Sequence, residues 1–238
     1  MTSQIQLGEI DIRVVRKAIK NVHLSVYPPD GHVHISAPDH MGLDKIRIFA
    51  ISKLGWIKQQ QKKVRAQERE TQREYVDRES HYLWGDRYLL VNIPSTEPAR
   101  VEIKHKQLLL FTQPESTYDR RESLIASWYR DQVRTVASEF VQKWEPVIKV
   151  KVRQIFIQKM RTKWGGCRPD RGHIRLNTEL AKKPKECLEY IVVHEVVHMI
   201  EPHHNKQFTQ YMDKLLPHWR HIRGELNRAP LAHEDWEY

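Results

Sequence analysis

The sequence predicts an α+β fold in which a β-rich amino-terminal region and a long helix precede a second region of mixed strands and helices. Three observations carry this expectation. Between residues 4 and 37 apolar residues alternate with polar ones: Ile10, Ile12 and Val14, then Val22, Leu24 and Val26, then Val33 and Ile35. A period of two is the signature of half-buried strands. Leu43 to about Arg78 reads as a long helix, its first half crowded with Ile46, Phe49, Ile51, Leu54, Trp56 and Ile57. Arg120 to about Trp144 is amphipathic, with Leu124, Trp128, Val133, Val136, Phe140 and Trp144 near helical spacing, an aromatic stripe suited to a core.

The remaining elements follow in order. Pro28-Pro29-Asp30-Gly31 predicts a turn between strands, and Pro38 ends the first set. The second half of the long helix is nearly all polar, from Gln59 to Lys63 and from Arg65 to Arg73, as expected of a solvated connector. Strands are expected over 82–86, 88–93, 101–103 and 108–111, separated by Pro94, Pro98 and Pro114. Val152–Met160 and His173–Asn177 read as two more strands linked by Trp164-Gly165-Gly166-Cys167. Asn205–Leu216 and Trp219–Leu226 read as closing helices. No internal repeat is visible. Residues 1–80 are expected to form the β-rich region with its connecting helix, and 81–238 the catalytic domain.

Composition narrows the class. At 238 residues the chain suits one large domain or two small ones. Hydrophobic residues are 39% and charged residues 29%, a globular balance. No apolar run approaches a membrane span. The start, Met1-Thr2-Ser3-Gln4-Ile5, has no basic segment followed by an apolar one. Only Cys167 and Cys187 are present, which is no disulfide framework. A cytoplasmic location with no membrane partner is expected. The net charge of +10 favours anionic partners, nucleic acid included. No helix-turn-helix, zinc finger or aromatic RNA-binding signature accompanies it.

The chemistry concentrates in His194-Glu195-Val196-Val197-His198. On a helix His194 and His198 stand at i and i+4, so both imidazoles leave one face about a turn apart. That spacing lets two nitrogens hold one zinc ion, while Glu195 reaches a bound water without ligating the metal. Leu188, Ile191, Val192, Val196 and Met199 supply an apolar face, Pro184 suits the first turn and Pro202 closes the far end. Two His and a Glu among such residues need compensation, which a metal provides. Three protein ligands leave a position open for water, as in catalytic rather than structural sites. His204, ten residues after His194, sits at the third-ligand interval of H-E-x-x-H-x-x-G-x-x-H zinc proteases and is favoured over the adjacent His203. Glu201 replaces the Gly of that pattern and is a weaker ligand candidate. Cys167 is read as a small buried thiol. Histidine-rich sites also take nickel, copper and iron, so zinc rests on geometry and usage.

Successive motifs sharpen this reading. Arg161-Thr162-Lys163-Trp164-Gly165-Gly166-Cys167, then Ile174-Arg175-Leu176-Asn177, then Tyr190 to His198, then His204-Asn205-Lys206-Gln207-Phe208 resemble those of the YgjP-like metallopeptidase family, related to the SprT-like proteases. The resemblance spans nearly the whole chain, Tyr82-Leu83-Trp84-Gly85 included. It implies a zincin-like catalytic domain, with a small sheet over the active-site helix and the Arg161–Arg175 region lining the cleft. It also implies His194, His198 and His204 as zinc ligands and Glu195 as general base. Arg161, Lys163, Trp164 and Arg168 are then candidates for substrate binding. The chain departs at Gly166, where the family usually carries Ser.

Two activities are consistent with an activated water. The first is zinc-dependent hydrolysis of peptide bonds. The second is phosphoanhydride hydrolysis, as in a nucleoside triphosphate pyrophosphatase, with Arg161, Lys163, Arg168 and Arg171 holding phosphates. Against the second stand the missing phosphate loop ending in Lys-Ser/Thr and the missing acidic cluster for Mg²⁺.

Overall fold

The computed structural model describes residues 2–27, 30–66, 73–160 and 163–228. Two compact units are distinguished, which among the described residues comprise 2–66 and 73–228. In the first, β1 (Thr2–Leu7), β2 (Ile10–Lys17), β3 (His23–Tyr27) and β4 (His32–Pro38) form a sheet of order β1-β2-β4-β3. The β1/β2 and β3/β4 pairs are antiparallel and β2/β4 is parallel. The alternation seen in the sequence sends Ile10, Ile12, Val14, Val33 and Ile35 into the core. The expected turn residues Pro28 and Pro29 lie outside the described residues.

The single long helix expected from Leu43 is instead two, α1 (Leu43–Ser52) and α2 (Leu54–Ala66). Two local features accompany the break. The Ser52 hydroxyl donates to the Phe49 carbonyl at 2.7 Å, a bond that competes with the helical ladder. Gly55, with its weak helix propensity, follows in the next turn. Ile46, Ala50 and Ile57 still face the sheet core. Residues 73–79 are not helical, and Tyr75 and Arg78 take left-handed φ values of 56° and 65°.

The second unit opens with β5 (Ser80–Leu83), β6 (Asp86–Pro94), β7 (Arg100–Lys104) and β8 (Gln107–Thr112), in the order β5-β6-β8-β7. Here too the outer pairs are antiparallel and the central β6/β8 pair is parallel. The two four-stranded sheets thus repeat one topology, strand for strand, each followed by a helix. No repeat shows in the sequence because topology asks only for alternation and turns, not for particular side chains.

Helix α3 (Tyr118–Ile148) starts at Thr117, whose hydroxyl accepts the Arg120 N–H at 3.3 Å. It runs one turn beyond the expected end at Trp144. Ile125, Tyr129, Val133, Ala137, Val141 and Trp144 line its buried face. A three-stranded sheet follows, β9 (Gln154–Gln158), β10 (Gly165–Arg168) and β11 (His173–Asn177), in the order β10-β11-β9. The Trp164–Cys167 segment, expected as a link between strands, is itself mostly strand. The reversal falls instead at Pro169–Arg171 and Gly172, whose φ of 66° suits glycine.

Against this sheet lies α4 (Lys185–Val197). Its expected apolar face is too modest a description. Cys187, Leu188, Tyr190 to Val193 and Glu195 to Val197 are all buried. A helix apolar all round belongs inside a core, and each large aliphatic side chain buried there contributes about 1.5–3 kcal/mol. The helix ends at Val197, before Pro202. Helices α5 (Lys206–Leu215) and α6 (Trp219–Arg228) close the unit. No helix among the described residues is long and apolar enough to cross a membrane.

Candidate metal centre

His194 stands in the last turn of α4, and His198 follows the helix end with near-helical φ −61°, ψ −16°. The i, i+4 relation therefore holds, and the His198 N–H donates to the His194 carbonyl at 3.3 Å. The chain then doubles back. The Glu201 N–H reaches the Val197 carbonyl at 2.9 Å, and the Glu201 carboxylate accepts the His203 N–H at 3.1 Å. The Glu201 side chain thus closes a turn where the protease pattern carries glycine.

This turn returns His204 to the helix. Its Nε2 lies 3.0 Å from His194 Nε2 and 3.0 Å from His198 Nε2. All three ligand atoms fall within 4.8 Å of one another. Neither His203, Glu201 nor Cys167 belongs to this group. Nitrogens bound at about 2.0–2.1 Å around a tetrahedral ion stand roughly 3.3 Å apart, so the trio is near ligand spacing. His198 Nδ1 lies 3.0 Å from the Glu201 carbonyl, which can only accept. That nitrogen therefore carries the proton and leaves the Nε2 lone pair facing the cluster. The donor set fits a divalent transition metal.

The electrostatics agree. Burial first, then the neighbouring imidazoles and Arg223, push His194 down to about 3, into its neutral, ligating form. His198 is lowered as well, mainly by burial. Glu195 is only 6% exposed, and its Oε2 has no partner among the described residues. Burial pushes its carboxyl up to about 8, with Lys163 pulling the other way. An unpaired carboxylate oxygen inside a core is costly, and such groups mark functional sites. Burial, followed by Glu195 and Asp170, pushes the Cys167 thiol up to about 12, far from a ligating thiolate.

Gly165 explains how β10 comes so close to Glu195. A Cβ at this position would lie 2.5 Å from Glu195 Oε1 and 2.8 Å from Ile191 Cγ2. Only a glycine lets the strand press onto the helix here. At Gly166 an added Cβ would meet nothing within 4 Å.

Of the expected substrate-binding residues, Arg161 lies outside the described residues. Lys163 is exposed and near enough to act on Glu195. Trp164 is half-buried against the main core, and Arg168 is exposed at the end of β10. Asn177 anchors the approach to β10. Its Nδ2 donates to the Met160 and Lys163 carbonyls at 2.7 and 2.9 Å. Its Oδ1 accepts the Met160 and Glu179 N–H groups at 3.3 and 3.1 Å. Asn177→Ala strands these groups in a buried setting and is expected to lower stability by roughly 2–4 kcal/mol. Urea denaturation measures this, and a loss under about 0.5 kcal/mol contradicts the anchoring role.

Residue reasoning assigned no role to Tyr190, Phe208 or Arg223. The Tyr190 ring meets His194 edge-on at 5.8 Å, and Arg223 acts on both residues. The Phe208 ring packs on all three histidines. An aromatic on an amphipathic helix such as α5 reads as ordinary core, and an exposed arginine such as Arg223 on α6 as ordinary surface.

No curated protein matches the sequence. Among solved structures the chain is similar to the metallopeptidase zymogen of Pyrococcus abyssi abylysin. The identity is 16% and the TM-score 0.35, covering 40% of this chain and 99% of that one. It is also similar to the metallopeptidase zymogen of Methanocaldococcus jannaschii jannalysin, at 18% identity and a TM-score of 0.34, covering 40% and 92%. The model of the YgjP-like family, metallopeptidase domain, matches residues 20–229. With a match over that span, the chain belongs to the YgjP-like metallopeptidase family and is by family a metal-dependent peptidase.

Proposed function

We propose that this protein is a zinc-dependent peptidase of zincin-like arrangement, its chemistry carried by residues within 81–238. The observation that supports this most is the convergence of three Nε2 atoms beside the buried Glu195 carboxyl, whose Oε2 has no partner among the described residues. His194, His198 and His204 would hold the metal. A bound zinc ion would acidify a water and polarise the carbonyl it attacks. Glu195 would accept the water's proton at its carboxylate and pass it to the leaving amine. Its burial among Ile191, Gly165 and the core of α4 excludes competing solvent and fixes its aim.

Among the described residues strand β10 is an edge strand, paired on one side only, with β11. Its other edge would pair with an extended peptide by main-chain hydrogen bonds. Lys163, Trp164 and Arg168 flank that edge and would contact the substrate. No described cluster favours the phosphoanhydride alternative. Arg171, one of its expected phosphate ligands, stands 3.7 Å from Asp170.

The assignment of the third ligand supplies the test. His204→Ala is expected to lower zinc content below half and to abolish cleavage of an unfolded protein such as casein. His203→Ala is expected to keep both. Chelation should silence the wild type and added zinc restore it. Equal metal content and cleavage in both variants would sink the three-histidine assignment.

A further inference from the structure

We propose that Phe208 is a positioning residue of the metal centre, the shared apolar base against which all three imidazoles are set. This rests on the metal reading above. The Phe208 ring centroid lies 4.9 Å from that of His194, 4.7 Å from His198 and 4.8 Å from His204. The three imidazoles stand 4.6–4.9 Å from one another. Four rings thus form one closed cluster, each touching the other three, with the imidazole Nε2 atoms gathered together.

The inter-ring angles matter. His194 and His204 meet Phe208 at 70° and 88°, edge on, and His198 at 31°. Edge-to-face contacts orient rings as well as bury them. An imidazole rotating about its side-chain bonds would collide with the phenyl ring or abandon it. The base therefore restricts the rotamers of all three ligands before any metal arrives. Ligand groups held in advance lose less freedom on binding.

The position of Phe208 is itself fixed by the chain next to a ligand. Asn205 directly follows His204 and caps α5, its Oδ1 accepting the Phe208 N–H at 2.9 Å. Phe208 is 3% exposed. One short capped segment therefore delivers both the third histidine and the ring beneath the trio. Met212, one turn further along α5, is fully buried and provides a comparison for simple core packing.

Titration with Co²⁺ in competition with a chelator, together with the visible spectrum of the bound cobalt, separates positioning from packing. Phe208→Leu, and Phe208→Met which has similar volume but a longer reach, are expected to weaken Co²⁺ binding about tenfold or more. Both are expected to alter the cobalt bands, while Met212→Leu leaves affinity and bands unchanged at a comparable loss of Tm. Wild-type affinity and bands in a folded Phe208→Leu or Phe208→Met protein overturn the positioning role alone. A wild-type protein that binds no cobalt, or binds it equally well as His204→Ala, overturns the metal reading as well.

Discussion

Glu195→Gln is expected to keep its metal and to lose peptide hydrolysis by about 10²–10⁴-fold, the contribution typical of a positioned base. The substitution is nearly isosteric, so the close approach to Gly165 persists. The amide cannot accept the water's proton, and nothing else in the cluster stands ready to do so. The three histidines would be committed to the metal through Nε2, and Cys167 holds its proton far above neutrality. Stability is expected to move the other way. At neutral pH the wild type keeps an ionisable group 6% exposed with one oxygen unpaired among the described residues, at a cost that a neutral side chain avoids. The variant should therefore melt no lower than the wild type. Metal analysis, casein cleavage and thermal unfolding on one preparation read all three effects. Cleavage at the wild-type rate with metal retained would remove Glu195 from its role.

Much of this arrangement was legible in the residues, for identifiable reasons. Strands with one wet face advertise themselves by alternation, so β2 and β4 fall close to where Ile12, Val14, Val33 and Ile35 imply. The i, i+4 spacing of His194 and His198 fixes their shared face whatever surrounds them. What stayed hidden depends on contact across the fold. Gly165 and Gly166 look alike in sequence and suggest a turn, yet only Gly165 is pressed against a helix. The Glu201 carboxylate closes its turn through a backbone N–H, which composition cannot reveal. Phe208 has the pattern of any buried helical residue, and only the returning chain shows what it is buried against. The break at Lys53 falls within a segment whose apolar spacing alone favours continuity.

The other large effect is expected at Gly165, where alanine would place a methyl group 2.5 Å from Glu195 Oε1, 2.9 Å from Glu195 Cγ and 2.8 Å from Ile191 Cγ2. The carboxylate end could swing aside, but Cγ and the Ile191 methyl belong to a helix packed on nearly every side. Relief must then come from β10 moving off α4, from displacement of the Glu195 side chain, or from both. Overpacking of this kind costs about 1–3 kcal/mol, and shifting a catalytic group by about 1 Å costs roughly 10²-fold in rate. Gly165→Ala is therefore expected to lose both stability and cleavage while retaining metal, because the three atoms nearest the new methyl belong to Glu195 and Ile191 and not to a histidine. Gly166→Ala, next along the same strand and facing open space, should change stability by no more than about 0.5 kcal/mol. Thermal unfolding, metal content and casein cleavage of the two variants form the measurement. Their contrast separates close packing at one residue from a general need for glycine in the strand. A Gly165→Ala protein as stable and active as the wild type would mean that β10 does not press on the helix at Glu195.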